Sequence, residues 1–63
     1  MNHPRDLFAT LTCCLEDLHG LAVEGQVPDQ PAEMLLFLTG QICNGLYRCQ
    51  TAADQIKTLL GAP

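Results

Sequence analysis

Apolar residues in the first third of the chain recur every three or four positions: Leu7, Phe8, Leu11, Cys14, Leu15, Leu18, Leu21 and Ala22. At 100° per residue they fill one arc of roughly 140°, with Asp6, Thr12, Cys13, Glu16, Asp17 and Glu24 on the other side. This spacing predicts an amphipathic helix over about residues 4–24. Pro4 suits the first helical position, where a missing N–H costs no hydrogen bond. Gly25 is placed to close the helix in the left-handed conformation.

Residues 25–30 form the predicted loop. Two prolines and one glycine between Gly25 and Pro31 stop one helix and start the next. Asp29 or Gln30 can cap the second helix, with Pro31 and Glu33 in its first turn. A connection this short makes the helices antiparallel.

The second helix is expected over about residues 31–60, with Leu35, Leu38, Ile42, Leu46, Cys49, Ala53, Ile56 and Leu60 as its core stripe. It exceeds the first by enough to leave roughly 13 Å uncovered. Either that length is covered by another chain, or the helix breaks near Thr51, where Thr51-Ala-Ala-Asp54 resembles a capping box. The absence of proline and glycine from Gln50 to Lys57 favours a continuous helix. The expected fold is therefore all-α: one antiparallel helical hairpin with the second helix longer.

A second apolar arc on that helix changes the picture. Leu36, Gly40, Cys43 and Tyr47 lie 100–160° from Ile42, Phe37 flanks them, and no charge occurs from Met34 to Tyr47. A helix apolar nearly all round is buried nearly all round, and one partner helix covers only one arc. The hairpin is thus expected to dimerise into a four-helix bundle, to hold this face for a different protein, or both. Leu36, Phe37, Gly40, Cys43, Tyr47 and the neighbouring Arg48 are the candidate interaction residues, tyrosine and arginine being enriched at interface hot spots. Gly40 and Gly45, unfavourable inside a helix, point to close helix–helix approach or to a kink.

Size supports association. A 63-residue chain with 48% hydrophobic and only 16% charged residues has little interior in which to hide its apolar surface. The net charge is −4, with six acids against Arg5 in residues 1–33. Three basic residues cannot build a phosphate-binding footprint, so nucleic acid is not an expected partner. Glu16, Asp17 and Glu24 form a secondary, acidic candidate surface suited to a basic partner, or simply to solvent.

Candidate chemistry is sparse. The four cysteines lack metal-ligand spacing, Cys13 and Cys14 being adjacent and Cys43 and Cys49 on different helix faces. Cys14, Cys43 and Cys49 read as small hydrophobes. Cys13 reads as solvent-facing, beside Glu16 and Asp17, which disfavour a reactive thiolate. His19 borders the first helix's apolar arc with no nucleophile or acid placed to work with it. No enzyme activity, metal or cofactor is expected. Neither a secretory leader nor a membrane span is legible, so a cytoplasmic location with free thiols is expected.

In layout the chain resembles two kinds of small helical hairpin. One is the plasmid RNA-binding hairpin dimers of the Rop type, whose activity would need a basic surface. The other is the hairpin co-chaperones of type III secretion, which shield a greasy partner. The leading functional expectation is a non-catalytic protein-binding regulator (inhibitor, anti-activator or adaptor) acting as a homodimer. The alternatives are a co-chaperone or small subunit of a heteromeric helical assembly, and an RNA- or small-molecule-binding hairpin.

Overall fold

A computed structural model describes residues 3–61, which form two helices, α1 (Pro4–Glu24) and α2 (Ala32–Leu59), packed against each other as an antiparallel hairpin. The molecule is a rod of 47 × 18 × 17 Å. Pro4 opens α1, and the carbonyl of His3 accepts from the amides of Asp6 and Leu7 at 3.0 and 3.1 Å. The carbonyl of Pro31 does the same for Met34 and Leu35 at the start of α2, at 3.0 and 3.2 Å.

The connection is built differently from the sequence expectation. Gly25 keeps a right-handed helical conformation (φ −64°), and the left-handed residue is Asp29 (φ 64°), a type that tolerates it better than most. Pro31, extended at ψ 152°, is the N-cap of α2, so neither Asp29 nor Gln30 caps it. Gln30 instead donates from Nε2 to the carbonyls of Glu24 and Val27, tying the loop to the end of α1. The left-handed glycine lies at the far end of α2, where Gly61 (φ 74°) follows the last turn.

α2 runs for 28 residues without a break. The Thr51 hydroxyl, the proposed cap of a broken helix, donates to the carbonyl of Tyr47 within the helix (3.0 Å). Gln50 Nε2 reaches Asp54 Oδ1 at 3.0 Å, bracing the same turn.

Packing between the helices follows a heptad. Leu7, Leu11, Cys14, Leu18 and Leu21 are the least exposed apolar residues of α1, and Leu38, Ile42, Gly45, Cys49, Ala52 and Ile56 those at the same spacing on α2. Both series step alternately by four and three, the a and d positions of a coiled coil. Leu18 is seated against Gly45, where an added Cβ would lie 2.5 Å from Leu18 Cδ2. Cys14 and Cys49 face each other in the next layer. On this register Leu7 meets Ile56 at the open end, and both are buried. The extra length of α2 therefore lies beside the loop.

The core is narrower than the sequence stripe. Leu35, Leu46 and Leu60 of α2, and Phe8, Leu15 and Ala22 of α1, are exposed; Gly45 and Ala52 occupy the buried places expected for Leu46 and Ala53. The cause is geometric: small residues at Gly45, Cys49 and Ala52 let the helices approach closely along that line, which turns the bulkier row outward.

Candidate interaction faces

Taking Leu38, Gly45 and Ala52 as d positions and Ile42, Cys49 and Ile56 as a positions divides the remaining surface into two flanks and a back. In an antiparallel pair the e rows of both helices line one flank and the g rows the other. The e flank carries Phe8, Leu15 and Ala22 from α1 with Thr39, Leu46, Ala53 and Leu60 from α2. Phe8, Leu15, Leu46 and Leu60 are 56, 56, 55 and 66% exposed. The neighbouring b row of α2 adds Leu36 and Cys43, both exposed, so the apolar surface continues round that side.

Even the hydroxyls on this side are withdrawn. Thr39 Oγ1 donates to the carbonyl of Leu35 (2.8 Å) and Thr12 Oγ1 to that of Phe8 (3.1 Å). Each threonine thus spends its donor on its own helix, while exposed His19 and Gln50 in the neighbouring b rows keep a polar border beside the flank.

The g flank is mostly polar: Thr10, Asp17 and Glu24 on α1; Gln41, Arg48 and Gln55 on α2, with Met34 its one large apolar residue among those described, near the loop. Here the small side chains of Cys14 and Ala52 leave an open cleft of about 390 Å³, rimmed by Thr10, Tyr47, Arg48 and Gln55. Asp17, Gln41 and Arg48 border a second, much smaller cleft over Gly45.

The six interaction residues expected from the sequence occupy the back and sides of α2, and the structure leaves all of them exposed, Leu36 and Tyr47 most of all at 72 and 74%. They do not share one flank. Leu36 and Cys43 adjoin the apolar e flank, Gly40 and Tyr47 point directly away from α1, Phe37 lies on the back, and Arg48 belongs to the polar cleft. A Cβ at Gly40 would meet nothing within 4 Å, so close helix approach occurs at Gly45 alone of these two glycines. Glu16, Asp17 and Glu24 are all exposed, on the back and polar flank of α1.

Sequence periodicity did not single out Phe8, Leu15, Leu46 and Leu60 as surface residues, because a and e positions adjoin and both were apolar. The available signal was Gly45, which offers a partner helix a seat that Leu46 cannot.

Cys13, Cys14, Cys43 and Cys49 are free thiols. Partial burial, then the facing Cys14 thiol, push the Cys49 thiol above its ordinary range, with Arg48 pulling weakly the other way. This disfavours the thiolate that nucleophilic or redox chemistry needs. Among the described residues no three His, Cys, Asp or Glu side chains come together as a metal site, and no helix is long and apolar enough to cross a membrane. No protein-family model, curated protein or solved structure matches the chain.

Proposed function

We propose that the protein is a non-catalytic protein-binding regulator or adaptor that presents helical surface from a homodimer in a reducing compartment. The observation that carries this reading is the e flank, where Phe8, Leu15, Leu46 and Leu60 are each more than half exposed. Exposed apolar patches of this kind mark interaction sites in small proteins. Two hairpins meeting through apolar flanks make a four-helix bundle, the architecture in which such helices bury a third row of side chains. The back of α2, with Phe37 and Tyr47, and the polar cleft at Arg48 then remain for a different protein.

The test is direct binding. The purified chain is immobilised, retained proteins are identified, and each is produced alone and titrated against it by calorimetry. A regulator or adaptor gives a saturable complex weakened by Tyr47→Ala or Arg48→Ala. Retained proteins that fail to bind when purified contradict the reading.

A further inference from the structure

We infer that the e flank, and not the back of α2, is the surface that takes the second copy, and that the copy runs end for end. This rests on the homodimer reading above and assigns its interface.

Area favours a second copy of this size. A compact monomer of 6.9 kDa exposes about 4,000 Å² by the usual scaling with mass. This chain exposes 4942 Å², roughly 900 Å² more. A standard protein interface covers about 800 Å² on each partner. The molecule is a rod of 47 × 18 × 17 Å, and a second rod laid along one flank would cover an area of that order.

Charge is compatible with an identical partner. A chain of net charge −4 repels its own copy unless the contact excludes its acids. Asp6, Glu16, Asp17, Glu24, Glu33 and Asp54 all fall at c, f or g positions, and Asp29 is in the loop. None is at an e or b position. The charges that border the apolar flank are Arg5 and Lys57, in b rows at the open end. The loop end carries Glu24, Asp29 and Glu33 with no cation between Gly20 and Tyr47. Laying the copy end for end brings the basic rim of one hairpin toward the acidic loop end of the other. Laying it in the same direction would crowd both basic rims together. Side-chain size agrees: reversed about Leu15, the row sets Phe8 opposite the partner copy's Ala22, large against small.

Sedimentation equilibrium of the full chain, with circular dichroism on the same samples, tests the assignment. Leu15→Ala and Leu46→Ala retain good helix formers, and each should weaken self-association by about tenfold or more, as expected for an apolar side chain lost from an interface. Tyr47→Ala should leave the dissociation constant within about threefold. Lys57→Gln should weaken the dimer at low salt if the copies run end for end, and tighten it if they run in parallel. A dimeric wild type that is indifferent to Leu15→Ala and Leu46→Ala but disrupted by Tyr47→Ala overturns the interface while sparing the dimer. A tighter Lys57→Gln dimer overturns the orientation. A folded wild-type monomer overturns the homodimer itself and leaves the flank to a different protein.

Discussion

Replacing Gly45 by alanine sets two known effects against each other at one position. Alanine in a helix interior is favoured over glycine by about 0.8–1 kcal/mol. At Gly45, however, the added methyl would stand 2.5 Å from Leu18 Cδ2 and 3.1 Å from Leu18 Cγ. Leu18 must change rotamer or the helices must part, and overpacking of this kind costs typically 1–3 kcal/mol. Gly45→Ala is therefore expected to range from neutral to about 2 kcal/mol destabilising. Gly20 and Gly40 supply the control, since a Cβ at either meets nothing within 4 Å. Gly20→Ala and Gly40→Ala should each stabilise by about 0.5–1 kcal/mol. In a domain this small, 1 kcal/mol moves the melting temperature by about 4–8 °C, so thermal melts at one fixed protein concentration separate the two outcomes. Adding Leu18→Ala to Gly45→Ala should relieve the overlap, giving a double variant less destabilised than the sum of the singles. A Gly45→Ala chain that melts as high as Gly40→Ala would refute the seating of Leu18 on the glycine, and with it the assignment of the outward rows.

Leu38, only 5% exposed, should cost about 2–5 kcal/mol on truncation to alanine, whereas Tyr47→Ala should stay within about 0.5 kcal/mol by urea denaturation. Thiol labelling followed by mass spectrometry should modify exposed Cys13 fastest and Cys49 slowest; labelling of Cys43 should slow as protein concentration rises, because it adjoins the apolar flank. Because the fold raises the Cys49 thiol, the folded state holds that proton more tightly than the unfolded chain. Its contribution is intact below the ordinary thiol value and is lost as pH rises above it, so melts between neutral and alkaline pH should decline more steeply for the natural chain than for Cys49→Ala.

Element type and extent were largely legible in the sequence, because Pro4, the Gly25–Pro31 segment and two long apolar periodicities each mark a helix boundary or a helix. The side of α2 that faces α1 was not. Leu46 and Gly45 are adjacent, and hydrophobicity assigns the leucine to the core; close approach of two helices instead rewards the residue with no side chain. Ala52 displaced Ala53 as the buried member of that pair by the same rotation. Capping was also misplaced, since Pro31 itself takes the extended N-cap place and leaves Gln30 to bind back to Glu24. The uncharged run from Met34 to Tyr47 marked residues that α1 leaves exposed, among them Leu36, Phe37, Gly40, Cys43 and Tyr47, but not that they divide between the back and one side of α2. The flank of Phe8, Leu15, Leu46 and Leu60 emerged only once the heptad positions were known.

Sedimentation equilibrium of the natural chain across the micromolar range, with helix content measured on each sample, addresses the central claim that this hairpin is half of a bundle. The expected result is a species of two chains at the upper end, each of 6.9 kDa, with mass and helix content falling together on dilution as the uncovered flank destabilises the separated hairpin. A fully helical species of one chain's mass at every concentration would contradict it.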